Sequence, residues 1–191
     1  MTDLNKKYLF RMTPARAMLL AVLYDLVGYG EFVSEFAAEK VCYFLQRFGA
    51  QSFFKLEFQP YFYGPYSGKV RHVLYALNGT YLNGYGSKDK KPFEPLDLVM
   101  TAENDILHYL ADKPNESAIV EQTKQFLRGF YSNFCLELLS TLDWIRETEP
   151  TTQREAIRQQ LNQWSERKSQ LASNERFFNL MMEKLEDTVF H

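Results

Sequence analysis

From Thr101 onward the apolar residues recur at three- and four-residue spacings, and the pattern is broken at Pro114, Gly129 and Pro150. That period lines apolar side chains along one face of a helix. Five stripes follow in order. The first is Ile106, Leu107 and Leu110; the second Ile119, Val120, Thr123, Phe126 and Leu127; the third Leu138, Leu139, Leu142 and Ile145. The fourth is Ile157, Leu161 and Trp164, and the last holds Phe177, Phe178, Met181, Met182 and Leu185. Thr101 can cap the first of these helices, and Thr152-Gln153-Arg154-Glu155 has the form of a capping box. Half the chain therefore reads as a stack of short helices with apolar faces turned inward.

The first half is mixed. Thr13-Pro14 suits a helix start, with Leu19, Leu20, Leu23, Leu26 and Val27 behind it and Gly28 and Gly30 at its end. Ser34 opens a second helix with Ala37, Val41, Phe44, Leu45 and Phe48 on its stripe and Gly49 at its end. Over 53–58, Phe54, Leu56 and Phe58 alternate with Lys55 and Glu57, which predicts a half-buried strand, with Pro60 stopping it or placing it at an edge. Tyr63-Gly64-Pro65-Tyr66 is a turn, and a third helix is expected over 67–77. Asn78-Gly79 turns into a short strand at Tyr81-Leu82, and 96–99 reads as another. The predicted fold is α+β and mostly α-helical: roughly six to nine helices with a small β-sheet of about three short strands. Residues 1–12 read as an N-terminal extension, and 13–191 as the folded domain.

Forty-six per cent hydrophobic residues, with 16 Phe and 12 Tyr, support a substantial core. The net charge is only −2, but it is divided unevenly: residues 1–91 carry +5 and 92–191 carry −7. An acidic half suits a basic partner, although a solvated helical surface can be acidic for no further reason. Cys42 and Cys135 both lie in helical patterns and read as buried thiols, not as a disulfide. No apolar run reaches the length of a membrane span, and no signal-peptide pattern opens the chain, so a cytoplasmic protein is expected.

Chemistry is harder to find. His72, His108 and His191 have no metal spacing, so neither a metal nor a cofactor is expected. Gly64-Pro65-Tyr66-Ser67-Gly68 misses the nucleophile elbow because its Ser comes one position late. Gly84-Tyr85-Gly86 lacks the later glycine and the helix of a phosphate loop. The basic loop with Lys88, Lys90 and Lys91 has tyrosines nearby and could meet phosphates, but the domain as a whole is not basic. On these grounds the chain reads as a non-enzyme. Two alternatives stay open: a direct nucleic-acid-binding module, and a hydrolase that uses Ser67 or a histidine on ADP-ribosylated DNA.

Several segments carry a resemblance. They are Thr13-Pro14-Ala15-Arg16-Ala17; Glu39-Lys40-Val41-Cys42-Tyr43-Phe44-Leu45-Gln46; Tyr63-Gly64-Pro65-Tyr66-Ser67 with Val70-Arg71-His72-Val73-Leu74; and the run from Gly79 to Gly86. Gly129-Phe130-Tyr131, the run from Leu136 to Trp144, and Trp164 followed by Arg167-Lys168 continue it. In number, order and spacing these resemble the C-terminal toxin-binding domain of DarG antitoxins. The resemblance implies an antitoxin that binds and inhibits a DarT-like toxin, an ADP-ribosyltransferase that modifies thymidine in single-stranded DNA, with one-to-one stoichiometry expected. In that family an N-terminal macrodomain removes ADP-ribose from DNA. Residues 1–12 are too few to hold one, so that activity is expected in the full-length protein and not in this chain.

Inhibition is then expected to work by occluding or mimicking the toxin's DNA substrate, with no direct binding of nucleic acid and no membrane. A groove for single strands is basic and offers stacking surfaces. The matching side chains here are the aromatics Tyr63, Tyr66, Tyr81 and Tyr85 and the acids Glu94, Asp97, Glu103, Asp105, Asp112, Glu116 and Glu121. Each also has an ordinary reading, as sheet packing for the tyrosines and as helix surface for the acids.

Overall fold

A computed structural model describes residues 12–86, 91–149 and 153–191. Helix α1 (Pro14–Gly28) begins where Thr13 accepts the Arg16 backbone N–H at 3.4 Å. Nine of its residues are buried, so it is apolar nearly all round and runs through the middle of the fold. Helix α2 (Glu35–Leu45) is capped by the Ser34 hydroxyl, which accepts from Ala37 N at 3.1 Å. Every residue of α2 is buried, including Glu35, Glu39 and Lys40. A fully buried helix with three charges is the first sign of a built polar site.

After α2 the chain makes a wide turn over Gln46–Ala50, with Gly49 in the left-handed region at φ 108°, and enters the short helix α3 (Gln51–Phe54). The predicted strand over 53–58 is not formed. Phe53 and Phe54 belong to α3, and Lys55 ends it at φ 53°. Apolar residues spaced by two also fit one turn of helix followed by an extended segment, and Gln46 holds that segment: its side chain exchanges hydrogen bonds with the Leu56 N–H and C=O at 2.9 and 3.1 Å. The strand lies a few residues later. β1 (Gln59–Tyr61) pairs antiparallel with β2 (Gly64–Tyr66), Pro60 facing Pro65.

Helix α4 (Val70–Leu77) follows, shorter than the predicted 67–77. β3 (Leu82–Asn83) pairs antiparallel with β4 (Asp97–Leu98), Leu82 opposite Leu98. These are the two short strands expected around 81–82 and 96–99, although they form a sheet separate from β1–β2. The fold class is therefore the expected one, mostly helical α+β, but with two two-stranded sheets in place of one.

A single 3₁₀ turn (Met100–Ala102) leads to α5 (Glu103–Ala111) without a side-chain cap from Thr101. Then come α6 (Pro114–Leu127), α7 (Asn133–Thr148), α8 (Arg154–Trp164), α9 (Glu166–Ser173) and α10 (Glu175–Glu186). Gln153 occupies the α8 N-cap position, and Thr152 of the predicted capping box lies outside the described residues. So do residues 1–11 of the expected extension and Lys88 and Lys90 of the basic loop. α1 packs against α2, α5 and α6, while α7 packs against α2, β2, α8 and α10. Tyr43 and Arg47 join the halves, both bonded to buried Asp143 on α7 at 2.8 and 2.7 Å. Cys42 is fully buried as expected; Cys135 is only partly so, and both are free thiols.

Candidate functional site

The β1–β2 hairpin lies over the N-terminal half of α2, and a cavity of about 260 Å³ opens between them. Glu35, Phe36, Glu39 and Lys40 form its floor. Positions i, i+1, i+4 and i+5 share one side of a helix, so α2 presents all four to the hairpin. Tyr61, Tyr63 and Tyr66 form the aromatic wall, with Arg71 of α4 and Pro92 at the rim. Tyr61 and Tyr66 stack with centroids 5.1 Å apart. The hairpin tip projects outward, with Tyr61 and Phe62 58% and 53% exposed, so aromatic surface continues from the cavity onto the outside of the molecule.

Gly64 explains the Tyr-Gly-Pro-Tyr spelling. It sits at φ +94°, and a Cβ there would meet Thr141 Oγ1 of α7 at 2.6 Å. Only glycine lets the hairpin lie this close to α7. The contact lets Lys40 reach from α2 to the Pro65 carbonyl, 2.7 Å from its Nζ, pinning the hairpin from beneath.

Around this core runs a polar network. Glu35 accepts from Arg71 Nε at 2.7 Å and from the Tyr85 hydroxyl at 2.8 Å. Glu39 Oε2 accepts the Ser67 N–H at 3.0 Å, and Glu39 Oε1, buried, has no partner. Deeper in, Glu137 of α7 holds Lys168 Nζ at 2.8 Å and Arg167 through two bonds at 3.0 and 2.8 Å. The Arg167 guanidinium lies 5.4 Å from the Tyr63 ring centroid, linking network and aromatic wall.

Burial dominates the titration of these groups. It pushes the Glu39 carboxyl up to about 8, and neighbouring Glu35 adds to the rise, against the Ser67 N–H, Lys40 and Arg71. Burial draws Lys40 down to about 7 and Lys168 down to about 8, although Glu39 and Glu137 respectively oppose it. Burial also raises Glu137, but Arg167 and Lys168 outweigh it and the carboxyl ends below its usual range. The site thus sets a neutral acid, Glu39, one helical turn from a carboxylate engaged with Arg71. A protonated carboxyl in an apolar cleft can donate a proton or a hydrogen bond at neutral pH, and a pair of carboxyl groups in different surroundings is the arrangement that glycosidic cleavage uses.

Of the side chains singled out from sequence, the structure gathers two, Tyr63 and Tyr66, at this cavity. Tyr85 is 3% exposed and its hydroxyl is committed to Glu35, so it supports the site from inside instead of facing a partner. Tyr81 is half-buried. The acids lie elsewhere: Glu94, Asp97, Asp105, Asp112 and Glu121 are exposed, and Glu103 and Glu116 are partly so. Glu103 and Asp105 occupy the first turn of α5, where the helix dipole favours them, and Glu121 pairs with Lys124 at 3.2 Å. Ser67 is buried beneath the hairpin and His72 and His108 are exposed on their helices. Among the described residues no group of histidines, cysteines and carboxylates is placed to hold a metal, and no helix is long and apolar enough to cross a membrane. Sequence reasoning passes over Glu35, Glu39, Arg71 and Tyr61. No spacing in the sequence marks the two acids, since Glu35 and Glu39 lie across the helix from the stripe of Ala37, Val41, Phe44 and Phe48.

No protein-family profile matches the chain. It does match a DNA ADP-ribosyl glycohydrolase of Thermus aquaticus, 34% identical over 160 residues, covering 83% of this chain and 43% of that protein. A DNA ADP-ribosyl glycohydrolase of Mycobacterium tuberculosis is 31% identical over 153 residues, covering 75% of this chain and 42% of that protein. The chain is related to the DNA ADP-ribosyl glycohydrolases. It spans less than half the length of each of these relatives. The names correct one expectation directly. The sequence alone reads as a non-enzyme because no catalytic constellation stands out in it, whereas the relatives carry the name of an enzyme.

Proposed function

We propose that this chain works in the removal of ADP-ribose from DNA, as part of a DNA ADP-ribosyl glycohydrolase. The observation that carries the reading is the 34% identity, over 83% of the chain, to a protein of that name. The cavity is compatible with it. Glu39 holds its proton to about pH 8 and lines the cleft, where it can protonate a leaving base as the glycosidic bond opens, while a water adds to the sugar carbon left behind and gives its proton to solvent.

The finer reading joins this activity to a partner. The chain also engages a DarT-like ADP-ribosyltransferase, one to one, and restrains the enzyme that writes the mark its own protein erases. The exposed tip residues Tyr61 and Phe62 support this reading, because aromatic side chains that cost little entropy to order are the usual anchors of protein interfaces. The acids of α5 and α6 would steer a basic partner toward the surface.

Two assays test the proposal. In the first, the protein is incubated with ADP-ribosylated single-stranded DNA and free ADP-ribose is measured; release is expected, and its loss in Glu39→Gln. In the second, an equimolar amount is added to the transferase with unmodified DNA, and less modification is expected. Absence of release sinks the hydrolase reading, and unchanged modification with no complex on a sizing column sinks the partner reading.

A further inference from the structure

Lys40 and Lys168 both lie deep in the fold, and their partners differ. Lys168 is held by the Glu137 carboxylate at 2.8 Å. Lys40, 2% exposed, donates instead to a neutral carbonyl, that of Pro65, at 2.7 Å. An ammonium ion buried without a carboxylate to bond is disfavoured, and an amine so placed gives up its proton readily. Lys40 also lines the cavity between α2 and the hairpin. Its Nζ stands 3.6 Å from the position that a Cβ on Gly64, another lining residue, would take, and 5.3 Å from the Phe36 ring centroid. A neutral amine in this place needs one N–H for the Pro65 carbonyl and keeps its lone pair. The glycohydrolase reading gives that lone pair no role.

We propose that Lys40 captures small aromatic aldehydes, its amine condensing with their carbonyl to form an imine inside this cavity. Nζ attacks the carbonyl carbon, and the resulting carbinolamine loses its hydroxyl group as water. That loss needs a proton. The carboxylic acid of Glu39 supplies it, since Glu39 lines the same cavity and its Oε1 has no partner among the described residues. The product is a protonated imine beside a Glu39 carboxylate, and the hydrogen left on nitrogen still serves the Pro65 carbonyl. One water leaves, and no oxidant or reductant is consumed. The reaction asks only for a neutral amine and an acid in one enclosed space, and the cavity floor carries both. The walls set the character of the occupant. Tyr61 and Tyr66 stack with centroids 5.1 Å apart, and Phe36 and Tyr63 meet edge to face at 6.1 Å, so a flat ring has a surface to pack on. The inference does not depend on the glycohydrolase reading, because a chain that releases no ADP-ribose can still form the imine.

Burial brings the two groups into one working range. It draws Lys40 down to about 7 and pushes Glu39 up to about 8, so between these values the amine is largely neutral while the acid keeps its proton. The other charged and titratable groups around them are Glu35 and Cys42 on α2, Arg71 on α4, Tyr66 on the hairpin, Glu137 on α7 and Lys168 on α9. Of these, Lys168 loses its charge near the top of the same range, and Glu137 stays ionised through it.

The experiment is reductive trapping. The whole chain is incubated with benzaldehyde and cyanoborohydride at pH 7.5, and its peptides are quantified by mass spectrometry. Lys69, 55% exposed and paired with Glu57, is the internal reference. Lys40 is expected to carry the benzyl group about tenfold more than Lys69, or better, since an ordinary lysine is almost wholly protonated at this pH. The preference should vanish when the chain is unfolded in urea, and should shrink at pH 9.5, where Lys69 gains nucleophile and Glu39 has lost its proton. Glu39→Gln should slow labelling of Lys40 several-fold and leave Lys69 unchanged. Tyr61→Ala, on the exposed tip, should also slow it, with the fold intact by circular dichroism. Butyraldehyde, which lacks a ring, should show a weaker preference than benzaldehyde. Lys40→Met should abolish the adduct, and the urea comparison keeps the test decisive should that variant fail to fold. Labelling of Lys69 equal to or above that of Lys40 at pH 7.5, a preference that survives urea, unchanged labelling in Glu39→Gln, or an equal preference with butyraldehyde each overturns the proposal.

Discussion

Glu137 and Lys168, thirty-one residues apart in sequence, meet at 2.8 Å in the interior, 1% and 0% exposed. The pair locks α9 to α7 directly behind the hairpin, and Arg167 adds a second, two-bonded cation to the same carboxylate. Removing one partner strands a buried charge. Lys168→Met is therefore expected to cost about 3–5 kcal/mol, and Glu137→Leu a comparable amount. The double replacement Glu137→Leu with Lys168→Met should cost less than the two singles together, because no buried ion is left uncompensated and Arg167, 45% exposed, can turn to solvent. Urea denaturation of the four proteins measures this; strict additivity would show that the two side chains are not coupled.

Gly64→Ala should destabilise by about 1–3 kcal/mol from backbone strain alone, and further from the contact with Thr141 Oγ1. Gly79 is the control, since it also has a positive φ, +81°, but a Cβ added there would meet nothing within 4 Å. Gly79→Ala should show only the strain. Melting temperatures that fall equally for both would mean the hairpin does not press on α7.

Stability should depend on pH in opposite senses through two neighbours. Glu39 is raised on folding, so the folded chain holds a proton that the unfolded chain releases near its usual carboxyl value. Its contribution is fully present at acid pH, is lost as pH climbs, and is gone above about 8. Lys40 is lowered on folding, so its burial is costliest at and below about pH 7 and eases as pH rises toward the ordinary lysine value. The stability difference between wild type and Glu39→Gln should shrink from pH 5 to pH 8, and that between wild type and Lys40→Met should move in favour of wild type from pH 7 to pH 10. Chemical denaturation across this range checks both; slopes of the same sign would contradict the assigned burial effects.

If a basic transferase is the partner, reversing exposed acids should slow its approach without unfolding the chain. Asp105→Lys, Asp112→Lys and Glu121→Lys together are expected to lower the association rate about tenfold or more at low salt, with little effect on dissociation. Tyr61→Ala with Phe62→Ala should instead raise the dissociation rate. Stopped-flow binding at two salt concentrations separates these effects, and a rate insensitive to both salt and charge would remove the acids from the interface.

Much of the helical framework is legible in the sequence because the apolar spacing is strong and local. Thr13 and Ser34 cap as their chemistry predicts, and the stripe of α10 is the one its spacing indicates except for Phe177, which is 42% exposed. The segment over 53–58 misleads because alternation over so few residues does not separate a strand from a helix end, and the Gln46 side chain that settles its path comes from the preceding turn. The cavity is illegible for a related reason. Glu35 and Glu39 sit in a helix whose other residues are also buried, and no periodicity tells a buried acid from an exposed one. Tyr85 illustrates the converse: an aromatic in a glycine-rich loop looks available, but its hydroxyl is spoken for by Glu35, fifty residues earlier.

The bond from Lys40 to the Pro65 carbonyl has a dynamic consequence. Lifting the hairpin would leave the buried Lys40 amine without its hydrogen-bond acceptor, so the two strands should part only when the surrounding helices also loosen. Whatever enters the cleft then finds walls already in place, and the amides of these short strands should resist deuterium exchange far better than their position near the surface suggests.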